Sequence, residues 1–265
     1  MPDPAALADF LTPQLLALCG FAFLAGFIDA VVGGGGLIQI PALFVLLPNA
    51  PVAALLGTSK FAGIGGTVSA TIQYARRVPI AWPVVIPAGI AAALFSFLGA
   101  RSVSLLSNTQ LKPMILVLLI VVLGYTLLKK DLGALHAPRL TATQQLWIGL
   151  STGSVIGFYD GFFGPGTGSF LIFAFVGLFG FSFLAASASA KAVNSITNLA
   201  ALSYFIASGN ILFALAVPMA ALNIAGSLVG SRLAIKKGSG FVRRLFIVIV
   251  GLLIARFAWD IFAQH

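Results

Sequence analysis

The feature that most constrains this chain is that its second half repeats its first half in register. A shift of 131 positions, with no gap, places Asp29 on Asp160 and Lys60 on Lys191, and it places residues 26–33 on residues 157–164. The chain has only six acidic residues, so two of them coinciding while a lysine pair coincides as well is not expected by chance. We therefore divide the chain into two homologous halves, residues 1–131 and 132–265.

The composition excludes most soluble classes of protein. Hydrophobic residues make up 60% of the chain and charged residues 8%, with a mean hydropathy of +1.08. These values predict an all-α polytopic membrane protein embedded in a lipid bilayer, because apolar stretches of about 20 residues span a hydrocarbon core as helices. No polar connection is long enough for a soluble catalytic or nucleic-acid-binding domain. The pI near 10.2 is therefore attributed to basic loops.

Each half contains about five apolar segments. A glycine-rich break, 33–36 or 164–168, precedes the second segment of each half, which is short. Broken backbone is tolerated at membrane depth only against protein or a watery cavity. The segments are 14–32, 36–47, 51–76, 79–100 and 109–129 in the first half, and 145–163, 168–180, 182–207, 210–232 and 242–262 in the second.

The basic loops predict that the two halves are inverted relative to each other. Arg76 and Arg77, the loop around Lys129 and Lys130, and the 232–244 loop all fall on the cytoplasmic side if five segments cross per half. Both termini then lie outside. The N-terminus is acidic, which is wrong for a signal peptide, so the residues from about Leu15 are expected to remain as the first helix. Whether the short segments cross fully is left open by the sequence.

Lys60 and Lys191 lie inside apolar segments, where a lysine costs about 2.5–3.5 kcal/mol to insert. Asn194 and Asn198 follow Lys191 at i+3 and i+7, on one helix face, and Thr67 occupies the position equivalent to Asn198. An ammonium group with amide and hydroxyl donors suits a small oxyanion. The alternative is that each lysine is an ion-pair partner of one of the repeated aspartates or extends to the membrane interface.

The glycine breaks predict the N-termini of two short helices deep in the membrane, where N–H groups and the helix dipole favour anions. The residues predicted to bind there are Gly34, Gly35, Gly36, Gly166, Thr167, Gly168 and Ser169. Asp29 and Asp160 precede the breaks. They are predicted either to compensate the lysines or carry protons, or to cap the short helices.

The remaining residues favour a transporter over an enzyme. Cys19 is the only cysteine, and the two histidines lie in a loop and at the C-terminus, so we expect no catalytic set, no metal site and no cofactor. Arg101 and Arg232 are interpreted as interface anchors. Asn223 is interpreted either as a cavity residue or as a link between helices.

At these residues the chain resembles the sulfite-exporter (TauE/SafE) family. The resemblance rests on residues 26–36, on residues 57–60 with 74–77, on residues 157–168 and on residues 190–198. It implies a permease of the bacterial inner membrane for sulfite, thiosulfate or an organosulfonate, usually exporting.

Combined with the repeat, the resemblance predicts a secondary transporter that works by alternating access at a site between the halves. A permease for another small anion such as a carboxylate, or an anion channel, remains the alternative. A homodimer is left open, and no nucleic-acid partner is expected.

Overall fold

The computed structural model describes residues 12–106, 117 and 140–262, with side chains up to residue 238. The described residues form helices joined by short turns. The predicted segment 109–129 and the loop with Lys129 and Lys130 lie outside the described residues. The helices are α1 (Pro13–Val32), α2 (Gly36–Leu46), α3 (Val52–Ala75), α4 (Trp82–Val103), α5 (Ala142–Phe162), α6 (Thr167–Gly177), α7 (Phe183–Ala207) and α8 (Phe213–Phe262), the last interrupted at Gly238.

Local sequence explains where the first helix of each half begins and where α1 ends. The hydroxyl of Thr12 accepts the Leu15 N–H at 3.2 Å, while Thr141 and Gln144 form a reciprocal capping box at the start of α5. Gly33 ends α1 in the left-handed region, with φ of 79°, and its N–H donates to the Asp29 carbonyl. A residue with a Cβ is strained in that conformation, so the break requires glycine.

The helices α2 and α6 are too short to cross a bilayer as straight helices. Each has 11 residues, about 16 Å of helix, against a hydrocarbon core of about 30 Å. The Gln39 side chain of α2 bonds Ser59 of α3, and each residue lies eight positions from the short turn at 47–51. The two helices therefore run antiparallel.

The outer surface of the bundle matches a lipid environment. Three of the helices described are long and apolar enough to cross a membrane: Pro13–Val32, Trp82–Val103 and Phe213–Gly238. On α4, Ile86, Ile90 and Leu94 recur every fourth residue and are 54%, 68% and 60% exposed. Such an apolar stripe marks a surface that faces lipid or a partner. With the apolar composition, it is typical of a multi-pass membrane protein.

Small residues bring the helices of different halves together. Gly153, Gly157 and Gly161 lie one turn apart on α5, and a Cβ at any of them would overlap the backbone of α4. Gly226 and Gly230 of α8 meet the backbone of α1 in the same way. Close helix approach through small residues is the usual packing of membrane helices. The first helix of each half is thus held by the fourth helix of the other half.

Candidate functional site

A buried cavity of about 60 Å³ lies where the two glycine breaks meet the middle of α3 and α7. A water molecule needs about 10–15 Å³ by this measure, so the cavity holds a few waters or one small ion. Its wall combines polar and charged side chains with glycines, Ala25 and Ile40. The lining residues are Ala25, Asp29, Gly33, Gly35, Gly36, Gln39, Ile40, Ser59, Lys60, Gly63, Thr67, Asp160, Gly164, Gly168, Asn194, Asn198 and Asn223.

Two ion pairs cross between the halves at this cavity. Lys60 Nζ lies 2.7 Å from Asp160 Oδ2, and Lys191 Nζ lies 2.7 Å from Asp29 Oδ2. Each lysine therefore pairs with the aspartate of the other half. Neither aspartate caps a short helix, since the structure gives no side-chain hydrogen bond at the N-cap of α2 or of α6. Since a buried charge is tolerated only when it is paired, the four residues form one neutral unit.

Lys60 is the lysine that faces the cavity. Its ammonium pairs with Asp160 and also donates to Asn198 Oδ1 at 2.9 Å. An ammonium has three donors, so one N–H remains beyond these two partners. Gly164 leaves room for this group, because a Cβ there would lie 3.0 Å from Lys60 Nζ. Lys60 is thus placed to donate to a small guest in the cavity.

Lys191 lies outside the cavity wall. It has no exposed surface, whereas its partner Asp29 has a side chain that is 16% exposed and lines the cavity. Thr67 Oγ1 donates to the Gly63 carbonyl at 3.0 Å and lies 3.4 Å from Asp29 Oδ2. In this conformation the Asp29 carboxylate faces the cavity, and the Lys191 ammonium lies behind it.

The asparagines of α7 turn their amides to the cavity. Asn198 Oδ1 accepts from Lys60, and Asn194 Oδ1 lies 3.4 Å from the hydroxyl of Thr197. Both side chains line the cavity. Since their oxygens are engaged, their NH₂ groups are the atoms available to a guest. The cavity thus offers one ammonium and two amide donors.

The glycine breaks contact each other, and several of their amides are already used. Ser169 N–H donates to the Gly33 carbonyl at 3.1 Å, and Ser169 Oγ donates to the Val32 carbonyl at 2.9 Å. Gly35, Gly36 and Gly168 line the cavity. Of the other residues predicted to bind at the breaks, Gly34, Gly166, Thr167 and Ser169 are outside the lining, and their binding role stays a prediction.

A polar network that the sequence did not indicate supports one wall. Gln39 donates to Ser59 at 2.9 and 3.0 Å, and its Oε1 accepts from Asn223, which also donates to the Ala22 carbonyl. Asn223 therefore both lines the cavity and joins helices. Gln39 and Ser59 have no polar equivalents 131 positions away, where Phe170 and Ala190 stand. Only their isolated polarity in apolar segments was available as a signal.

The crossing of α3 and α7 is closed differently on the two sides of the cavity. The hydroxyls of Thr71 and Ser195 hydrogen-bond at 2.8 Å on the side toward Arg76. The positions related by the 131-residue shift are Leu202 and Ile64, which belong to one apolar cluster. The two helices therefore meet through one hydroxyl–hydroxyl hydrogen bond on one side of the cavity and through apolar side chains on the other side.

The chain is similar to known proteins over nearly its whole length. The family model described as sulfite exporter TauE/SafE matches residues 18–257. A probable membrane transporter protein of Sinorhizobium is 37% identical, over 86% of each chain. The probable membrane transporter protein YfcA of Escherichia coli is 36% identical, over 96% of this chain and 94% of its own. A probable membrane transporter protein of Haemophilus influenzae is 35% identical, over 90% of this chain and 92% of its own. No solved structure matched.

Proposed function

Because the chain belongs to the sulfite exporter TauE/SafE family and is a membrane transporter, we propose that it is a secondary exporter of a small sulfur oxyanion in the bacterial inner membrane. The observation that carries this proposal is the cavity beside Lys60, where an ammonium and the Asn194 and Asn198 amides converge between the two halves. Its volume of about 60 Å³ favours sulfite over a long organosulfonate in this conformation.

Inverted repeats are part of the proposal, and the contacts between the halves support them. The Ser96 hydroxyl donates to the Thr197 carbonyl, and the Ser227 hydroxyl donates to the Gly66 carbonyl. These two bonds are related by the 131-residue shift with the halves exchanged, as are the two ion pairs. The end of α3 and the charged turns of α8 that precede Gly238 also line one cavity. Parallel repeats would place these ends on opposite sides, because α4 returns antiparallel to α3.

Charge balance suggests how an anion is accepted. The four paired residues sum to zero charge, so an anion entering the cavity adds an uncompensated charge in a medium of low dielectric. We infer that Lys60 turns from Asp160 toward the anion, with Asn194 and Asn198 completing the donors. Removing the competing carboxylate in Asp160→Asn should therefore tighten sulfite binding and slow its release.

Alternating access follows from the same geometry. Exchanging the conformations of the two halves would close the present cavity and expose the Lys191–Asp29 pair instead, since the two pairs are related by the repeat. In this scheme Lys191 binds the anion in the opposite-facing conformation. This keeps both lysines as substrate ligands, one in each state.

A binding and flux screen tests the substrate. Purified protein in liposomes is offered sulfite, thiosulfate, sulfoacetate, isethionate, sulfate and acetate, with saturable uptake and counterflow as readouts. Sulfite or thiosulfate should be bound and exchanged. Preference for acetate would support a carboxylate permease and overturn the sulfur assignment, while non-saturable flux without counterflow would indicate a channel.

Matched charge-neutral variants test the site. The double variant Lys60→Met/Asp160→Asn removes one pair without leaving an unpaired charge, so it should remain folded and lose sulfite binding. Lys191→Met/Asp29→Asn is its counterpart and should keep a binding step but lose exchange. Normal sulfite affinity in the folded Lys60→Met/Asp160→Asn protein would exclude Lys60 as the ligand.

A further inference from the structure

A second, larger cavity lies between α3 and α8 and is strongly basic. It has a volume of about 790 Å³ and lies between the end of α3 and the turns of α8 that precede its interruption at Gly238. Four of its lining residues are cationic: Arg76, Arg77, Arg232 and Lys236. We call this cavity the basic vestibule. The other lining residues are Ser69, Ile72, Gln73, Leu228 and Ile235.

The vestibule carries unbalanced positive charge. The ion pairs recorded among the described side chains are the two central ones, so none of the four cations is paired with a carboxylate there. Gln73 provides a second indication of an anion-binding site. Its Nε2 is buried and has no hydrogen-bond acceptor among the residues described. Buried donors are nearly always satisfied, and an anion oxygen would satisfy this one.

The equivalent positions of the other half carry less charge. The positions related by the 131-residue shift to Arg76, Arg77 and Lys236 are Ala207, Ser208 and Leu105, and Arg232 alone keeps its charge, as Arg101. The repeat therefore conserves the central lysines and aspartates while making the two approaches to them electrostatically unequal. The preference of basic residues for the cytoplasmic side accounts for charge at this end, and the fold gathers four of the cations around one cavity.

The vestibule lies about two and a half turns from the central cavity along α3 and α8, on the opposite faces of both helices. Thr67 and Asn223 line the central cavity, and Arg76 and Arg232 lie nine residues further along the same two helices. Nine residues of helix rise about 13 Å. This separation is comparable with the Debye length of about 8–10 Å at moderate salt, so the vestibule still acts on an anion that is about to enter.

We propose that the basic vestibule is a second, peripheral binding site for the transported oxyanion, which raises its concentration at this end of the protein. The proposal rests on the function proposed above. Guanidinium groups are suited to oxyanions because they donate paired N–H bonds, and a funnel of one charge sign raises association rates by about 10- to 1,000-fold at low salt. Arg76, at the end of α3, and Arg232, on α8, contribute guanidinium groups from two different helices.

Sidedness of transport gives the first test, with radiolabelled sulfite in vesicles of both orientations. Arg76→Gln/Arg232→Gln should raise KM about tenfold or more for sulfite offered on the vestibule side, leave kcat and the opposite KM unchanged, and converge with the unmodified protein at about 1 M salt. Arg101→Gln is the matched control and should leave the vestibule-side KM unchanged. An unaltered KM in the double variant would overturn the proposal.

A second measurement does not depend on transport. With Cys19 replaced by alanine, Ser69→Cys places a thiol in the vestibule and Ala200→Cys places one at the related position of the other half. The anionic methanethiosulfonate should label position 69 faster than the cationic one, and Arg76→Gln/Arg232→Gln should abolish this preference. Sulfite would consume these reagents by attacking the thiosulfonate, so sulfate serves as the competing oxyanion and should protect position 69 and not position 200.

The lipid in the vesicles separates two sources of anionic groups. In purely zwitterionic vesicles, the charge preference and the protection by sulfate should persist. If only added phosphatidylglycerol protects position 69, a lipid headgroup occupies the vestibule and the recruitment proposal is wrong. If the charge preference is present but sulfite flux is absent, the assignment of sulfite as the substrate is wrong and the anion-binding role of the vestibule stands.

Discussion

The crossed ion pairs make a quantitative prediction about which variants rescue each other. Asp160 is 1% exposed and lies 2.7 Å from Lys60, so Asp160→Asn leaves a buried ammonium with only the neutral Asn198 as a strong partner. Breaking a buried pair from one side costs about 3–5 kcal/mol. At about 2–4 °C per kcal/mol for a chain of this size, Tm should fall by about 6–20 °C.

A second substitution then identifies the partner. Adding Lys60→Met removes the unpaired charge and should restore most of the lost Tm, whereas adding Lys191→Met should lower Tm further because it also strands Asp29. The complementary single variant, Asp29→Asn, should be rescued by Lys191→Met and not by Lys60→Met. The two rescues together would identify which lysine pairs with which aspartate.

Thermal unfolding of detergent-purified protein, followed by tryptophan fluorescence, measures all of these variants. The coupling energy in each double-mutant cycle should reach the upper part of the range of about 0.5–3 kcal/mol seen for contacting residues. Rescue of Asp160→Asn by Lys191→Met would show that each lysine pairs within its own half and would refute the crossed arrangement. Unchanged Tm values in the single variants would show that the charges are hydrated.

Three further predictions concern the packing, the barrier and the orientation. Gly161→Ala should cost about 1–3 kcal/mol because its Cβ would overlap the backbone of α4, while Gly20→Ala, with open space around it, should leave Tm unchanged; equal Tm values would contradict the helix contact. In a cysteine-free background, Thr71→Cys/Ser195→Cys should form a disulfide that stops sulfite flux until it is reduced, because the two hydroxyls lie 2.8 Å apart; full flux in the cross-linked protein would exclude this barrier. Lys237→Cys should be labelled only from the cytoplasmic side, and labelling from outside would contradict the proposed orientation.

The sequence determined the parts of the central site through the repeat. Asp29, Asp160, Lys60 and Lys191 stand out because charge is expensive in a membrane and the same charges recur at one spacing. The all-α membrane class, the family and the glycine breaks were also predicted from sequence, since apolar length and local backbone chemistry determine them. These are properties of a residue and its neighbours along the chain.

Only the tertiary structure decided which partners meet. Helical spacing placed Asn198 on the face of Lys191, yet Asn198 accepts from Lys60 of the other half, because spacing along one helix says nothing about which helix lies opposite. The repeat treats the two lysines as equals, whereas packing puts Lys60 at the cavity and Lys191 behind Asp29. Gln39 and the basic vestibule depend on contacts between distant segments, and no local pattern encodes the distance between such segments.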